Sequence, residues 1–233
     1  MRHVIEDALR GLIQDLKAGR FSLDVTARKT RASPTEMRQI LISCLLSSGW
    51  KYEKALDASA LFSKRFPASG GVPVLNEIET FLTDRQVRHR FPKSKAKQLH
   101  FSLKQFSLFP AEMLFKGGDI TGERIIRDKL QQKLPGFGYK QTSMFLRNIG
   151  ASENLAIIDS HIIWYLHTVM DVNINNLTQR KYIEIEDIIK NISSGFELDI
   201  NSFDILLWVL VREFKKSERA NSCGTQYVLP LAA

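Results

Sequence analysis

Apolar residues return every three or four positions along most of the chain, the spacing of one face of a helix. Val4, Ile5, Ala8, Leu9, Leu12, Ile13 and Leu16 predict a first helix over residues 3–18. Ser33-Pro34-Thr35-Glu36 is a start signal. The Ser33 hydroxyl can cap, Pro34 suits the first helical position, and Glu36 completes a capping box. The pattern carries this second helix through Met37, Ile40, Leu41, Cys44 and Leu45 to about Ser48. Further helices are predicted near residues 52–65, 77–89, 94–107, 110–116, 122–133, 139–149, 160–170, 180–194 and 199–216. Pro67, Gly70, Gly71 and Pro73 make residues 66–76 a loop, and Gly150 stops the helix before it. Leu155-Ala156-Ile157-Ile158 fits a strand but is too short to decide. The tail from about Glu218 lacks a period and is expected to be loosely held. The pattern therefore predicts an all-α fold without internal repeats.

Composition narrows the class. The chain has 233 residues, 44% apolar and 25% charged, enough to bury a core and too apolar for a disordered protein. Basic residues number 33 against 25 acidic, a net charge of +8, which suits a polyanionic partner or a merely basic soluble protein. Cys44 and Cys223 are the only cysteines. They cannot ligate an iron–sulfur cluster or zinc alone, and they support no disulfide framework, so a reducing cytoplasm is expected. No apolar signal core opens the chain, and no apolar run approaches the roughly 20 residues that span a bilayer.

Chemistry concentrates in Leu134-Pro135-Gly136-Phe137-Gly138-Tyr139-Lys140. Between two amphipathic helices this reads as a tight hairpin. Gly136 and Gly138 let the backbone approach a ligand, and Pro135 stiffens the entry. The N–H groups of the turn and of the next helix's first turn then suit a DNA phosphate. An ordinary helix–helix turn is the alternative, and DNA binding by Leu134 to Gly138 is the favoured reading. The hairpin carbonyls can also hold a monovalent cation. Lys140, at the helix start, is either a solvated lysine or a nucleophile. A nucleophilic lysine must be neutral, so its pKa must fall from about 10.4, and a helix N-terminus pushes it that way. Asp159 precedes the apolar run Ile162, Ile163, Tyr165 and Leu166. It can be a helix cap, a catalytic carboxylate, or both. His161 is expected to be structural or a DNA contact.

These residues carry a resemblance. The hairpin, Lys140 and Asp159 together resemble the helix-hairpin-helix DNA glycosylase superfamily. The run Gly138-Tyr139-Lys140-Gln141-Thr142-Ser143-Met144-Phe145-Leu146-Arg147-Asn148-Ile149-Gly150, with Leu155-Ala156-Ile157-Ile158-Asp159-Ser160-His161-Ile162, is similar to the archaeal-type branch of 8-oxoguanine DNA glycosylases. Arg90-Phe91-Pro92-Lys93-Ser94-Lys95-Ala96-Lys97 is similar to a basic segment of that branch. The similarity covers about residues 85–170. It implies a single glycosylase domain over residues 1–233, built of two packed helical subdomains with the active-site cleft between them and the helix-hairpin-helix motif at about residues 122–150. It implies that Lys140 attacks the sugar C1′ of a flipped damaged nucleotide, that Asp159 assists, and that the Schiff base nicks the strand by β-elimination. No cofactor is required, and the lack of a cysteine cluster sets the chain apart from the iron–sulfur branch. The implied partner is double-stranded DNA with a damaged base, bound by a monomer in the cytoplasm at the nucleoid, with no membrane.

The chain departs from that branch in three places. Ser160 stands where many relatives have arginine, residues 66–80 look inserted, and the chain runs past Lys215-Lys216 through Ala233. These departures keep another modified base in play. The rival reading is a non-catalytic helix-hairpin-helix DNA-binding module in which Lys140 is only a phosphate contact. Arg90, Lys93, Lys95 and Lys97 are expected to contact phosphates, within a basic run that also holds Arg85, Arg88 and Lys104. Trp208 lies in an apolar helical pattern and is read first as core and second as a stacking platform for the extruded base. Phe91 is a weaker candidate for the same role. Lys216 and Arg147 are candidates for contacts with DNA or the base.

Overall fold

The computed structural model describes residues 2–23, 30–174 and 176–222. Among them are ten α-helices and no strand. They are α1 (Arg2–Lys17), α2 (Pro34–Leu46), α3 (Tyr52–Arg65), α4 (Leu75–Thr83), α5 (Pro92–Ser107), α6 (Ile120–Lys133), α7 (Tyr139–Asn148), α8 (Ser160–Met170), α9 (Gln179–Gly195) and α10 (Ile200–Ser222). Short 3-10 turns occupy Ala68–Gly70 and Ala111–Phe115, the second in place of the helix expected at 110–116. The all-α expectation holds. No helix of the described residues is long and apolar enough to cross a membrane.

The chain divides into two compact units. One is continuous, residues 27–155, and holds α2 to α7. In it α2 packs on α3, α5 and α7, while α4 packs on α5 and α6 on α7. The α2 side chains Leu41, Ile42, Cys44, Leu45 and Leu46 are wholly buried at its centre. The Ser33 capping box forms as expected: Glu36 N–H donates to Ser33 Oγ, and Ser33 N–H donates to Glu36 Oε2 at 2.8 Å. The other unit combines residues 1–26 with 156–233. There α10 packs on α1, α8 and α9, burying Phe203, Leu207, Leu210 and Val211.

Three local expectations change. The helix expected over 77–89 stops at Thr83, because the Asp84 carbonyl takes the N–H groups of Val87 and Arg88 and its carboxylate takes that of Gln86. Arg85 and Arg88 therefore sit in a turn rather than on a helix. Residues 155–158 are not a strand. The Tyr182 hydroxyl accepts from Ile158 N–H and donates to the Ala156 carbonyl, both at 3.1 Å, so one phenol serves backbone groups that a ladder would otherwise satisfy. Finally, α10 continues to Ser222, so the tail expected to be loose from about Glu218 begins as helix, and its remainder at 223–233 lies outside the described residues.

Candidate active site

The hairpin joins α6 to α7 in the continuous unit and is held from three sides. Leu134 and Phe137 point inward and are buried, while Pro135 and Gly136 are exposed. The Leu134 N–H donates to the Leu130 carbonyl at 2.8 Å, and the Phe137 N–H donates to the Leu134 carbonyl at 3.1 Å. From α5, the Ser102 hydroxyl donates to the Pro135 carbonyl at 2.9 Å. Gly136 has φ +86°, and a Cβ there would stand 2.5 Å from the Gln98 side chain. The turn needs glycine on both counts.

Gly138 is the N-cap of α7 and offers no side chain to the first-turn N–H groups. Its carbonyl accepts from Thr142 N–H and Thr142 Oγ1. The first-turn donors of α7 therefore have no N-cap side chain to accept from them, and the positive end of the helix dipole there favours an anion.

The first turn of α7 is fixed to α6 through Tyr139. The guanidinium of Arg127 lies 4.9 Å over the Tyr139 ring, and its Nη1 donates to Ser143 Oγ at 3.2 Å. Arg127 is completely buried. Burial, followed by the negative charge of Asp128, raises the Tyr139 phenol above its ordinary value.

Lys140 follows, half-buried, and its ammonium makes no hydrogen bond or ion pair among the described residues. Its charge reaches the buried Cys44 thiol of α2. Burial pushes that thiol up to about 12, against the opposing pull of Lys140, and it therefore stays protonated. No thiolate is present to pair with the lysine. Nearby, the Asn148 amide donates to the Tyr52 hydroxyl at 3.3 Å.

Asp159 belongs to the other unit and is the N-cap of α8. Its Oδ1 accepts the N–H groups of His161 at 2.7 Å and Ile162 at 3.1 Å, and its Oδ2 accepts His161 Nδ1 at 3.0 Å. Burial pushes the Asp159 carboxyl up, but the bonds from the His161 ring and from the two N–H groups outweigh it and hold the value below ordinary. The carboxylate is anionic and fixed in direction. His161 stands edge-on to Trp208 with centroids 5.8 Å apart, and Arg212 lies 4.8 Å over the other ring system of that pair, the indole. Trp208 is half-buried, and Lys216 further along α10 is paired with Glu213 at 2.5 Å.

The basic segment is only partly a surface. Arg90, Lys93 and Lys97 are exposed, and Arg90 lies 5.0 Å over the exposed Phe91 ring. Lys95 corrects the expectation of a phosphate contact. It is 5% exposed, and its Nζ donates to the Leu45 carbonyl at 2.8 Å. Arg147, a candidate for DNA or the base, is buried in α7.

Sequence reasoning missed Glu123. Its buried carboxylate accepts Ser152 Oγ, the N–H groups of Glu153 and Asn154, and the Asn154 amide, at 2.8–3.0 Å. An acid in the first turn of a helix reads as ordinary dipole complementarity, so only its buried partners reveal the role. No group of three His, Cys, Asp or Glu among the described residues is arranged to hold a metal.

The pattern of a protein family described as 8-oxoguanine DNA glycosylase matches residues 24–198, the span that contains the hairpin, Lys140 and Asp159. The chain belongs to the 8-oxoguanine DNA glycosylase family. A relative in that family, the 8-oxoguanine DNA glycosylase/AP lyase of Methanocaldococcus jannaschii, is 30% identical over 162 residues, 64% of this chain and 75% of the relative. That of Korarchaeum cryptofilum is 29% identical over 182 residues, 76% of this chain and 81% of the relative. The crystal structure of the 8-oxoguanine DNA glycosylase of Thermotoga maritima matches with TM-score 0.71 and 25% identity, covering 89% of this chain and 97% of that one. The M. jannaschii glycosylase/lyase in complex with 15mer DNA containing 8-oxoguanine shares the fold, with TM-score 0.65.

Proposed function

We propose that this member of the family is a bifunctional DNA glycosylase and apurinic-site lyase that removes an oxidised purine, 8-oxoguanine, from duplex DNA. The observation that carries the reading is Lys140. It has an unpaired ammonium among the described residues, one residue beyond an uncapped helix start, on a hairpin tied to α5 by Ser102. The names and titles of the relatives support the same substrate.

The duplex hides the glycosidic bond, so the nucleotide is turned out before it reacts. The N–H groups of the hairpin tip and of the first turn of α7 take a backbone phosphate, and exposed Arg90, Lys93 and Lys97 take others. The hairpin carbonyls have lone pairs to spare for a monovalent cation. Lys140, having given up its proton, attacks C1′ through Nζ. The C1′–N9 bond breaks and the base leaves with its electron pair, taking up a proton. The fixed carboxylate of Asp159 favours the positive charge that gathers on the sugar. The sugar ring opens to an imine between C1′ and Nζ. Loss of a C2′ proton expels the 3′ phosphate, and water frees the lysine. Trp208 in one unit and Phe91 in the other are each a candidate face for the extruded base. One copy of the chain acts on nucleoid DNA.

The test is borohydride trapping on duplex containing 8-oxoguanine opposite cytosine and on duplex containing an abasic site. A covalent adduct on both, absent in Lys140→Gln while DNA binding persists, is the expected result. An adduct on the abasic site alone would move the substrate to another modified base. No adduct on either, with binding intact, would leave a DNA-binding module without chemistry.

A further inference from the structure

The last turn of α2 has carbonyl groups that no helical N–H reaches. Ser47 serves two of them, its N–H donating to Ser43 at 3.0 Å and its hydroxyl to Cys44 at 2.8 Å. The next two are taken by side chains from far along the chain. Lys95 Nζ donates to the Leu45 carbonyl, and His89 Nε2 lies 3.1 Å from the Leu46 carbonyl. Both side chains are 5% exposed, at the negative end of the helix dipole.

The proton on His89 is located by the other ring nitrogen. The Phe91 backbone N–H donates to Nδ1 at 3.0 Å, so Nδ1 is an acceptor and Nε2 carries the hydrogen that Leu46 receives. The ring is neutral. It holds the segment that displays Arg90 and Phe91, the exposed pair already placed against DNA. Behind that pair the backbone runs tight: Arg88 has φ 45°, and a Cβ on Gly49 would stand 3.1 Å from Phe91 Cε2.

We infer that His89 is a proton-sensitive positioning residue, whose neutral Nε2–H form seats the Arg90–Phe91 pair for DNA and whose protonated form releases it. The inference rests on the function proposed above. A second proton must go to Nδ1, where it meets the Phe91 N–H donor head-on and breaks that bond. The surroundings oppose the charge. Burial lowers the His89 pKa most, the bond to Leu46 raises it, and the ammonium of Lys95 on α5 lowers it further. The α2 terminus offers carbonyls, and the turn itself contributes the exposed Arg88 and Arg90.

The test measures affinity for duplex carrying an uncleavable tetrahydrofuran abasic analogue, by fluorescence anisotropy, at about pH 7.5 and about pH 5. Wild type should weaken about tenfold at the acid pH, the scale of one lost hydrogen bond. His100→Gln, which removes a histidine of α5, should follow wild type. His89→Gln keeps an amide donor for Leu46 and cannot titrate, so it should bind equally at both. Acid weakening of the same size in His89→Gln, or none in wild type, overturns the inference. Histidine ¹⁵N spectra of the unmodified protein give a reading independent of any variant: an Nδ1–H or charged His89 at neutral pH overturns it too. If wild type binds no DNA even at about pH 7.5, the proposed function itself fails, and the spectra still report the tautomer.

Discussion

Ser102 and Pro135 are 33 residues apart in sequence and joined by a 2.9 Å hydrogen bond, hydroxyl to carbonyl, that ties the middle of α5 to the hairpin tip. The Ser102 side chain is completely buried while Pro135 is exposed, so the bond is part-buried. Ser102→Ala should cost about 1 kcal/mol in stability. It should also weaken DNA binding several-fold, because the turn that presents the N–H groups loses one of its ties. Thermal melts followed by circular dichroism, together with anisotropy titrations, check both. Loss of stability with undiminished affinity would show that the turn keeps its shape without α5.

Gly136→Ala meets two obstacles that can be separated. A left-handed backbone costs a non-glycine residue roughly 1–2 kcal/mol, and the new methyl meets the Gln98 side chain at 2.5 Å. Adding Gln98→Ala removes the clash and leaves the backbone strain. The double variant should therefore recover part of the lost stability and DNA affinity, and a double-mutant cycle of urea melts measures how much. Full recovery would mean that the φ of +86° is not needed.

Removing the Glu123 carboxylate strands several buried donors at once. Glu123→Ala leaves Ser152, Glu153 and Asn154 without their acceptor. We expect a loss of about 3 kcal/mol or more, read by denaturant unfolding. Glu123→Gln should fare little better, since its amide turns donors toward donors. A variant of wild-type stability would show that water enters and satisfies the loop.

Asp159 makes stability depend on acid. Its folded pKa lies below the ordinary 3.8, so between the two values the unfolded chain binds more protons and stability rises with pH. The contribution is whole above the ordinary value and is lost as pH falls through the depressed one. Asp159→Asn keeps a capping oxygen and does not titrate. The stability gap between wild type and this variant should stay constant from about pH 5 to 8 and close below about pH 4. Urea unfolding across that range tests it, and a gap that persists in acid would place the benefit in the cap alone. Cleavage of an abasic site should fall in Asp159→Asn even where stability does not.

Helices with a clean apolar stripe were legible in the sequence because their spacing is local information. So were the Ser33 capping box and the hairpin, whose glycines and proline act within a few residues. Features set by distant partners were not legible. Lys95 looks like its neighbours Lys93 and Lys97, and only the Leu45 carbonyl, 50 residues earlier, makes it a buried donor. Nothing in the sequence of α6 marks Arg127, yet it is fully buried with its guanidinium over the Tyr139 ring. The early end of α4 is a local event, but Asp84 resembles any surface acid until its carbonyl is seen to take two N–H groups. The place of Lys140 in the first turn of α7 and of Asp159 as the cap of α8 was readable, while the residues that fix the hairpin and the first turn of α7 were not.

The unit that holds α8, α9 and α10 also claims α1, with the residues of the continuous unit coming between them in sequence. That arrangement has a consequence for the order of events as the chain leaves the ribosome. Residues 27–155 carry their own core and can close once Leu155 has emerged, with the Ser152–Asn154 loop in place around Glu123. The first helix cannot, because Ile5, Leu9, Leu12 and Ile13 bury against helices made last. The earliest helix synthesised is thus kept waiting longest for a partner, and its apolar face is the surface a chaperone would meet on the nascent chain.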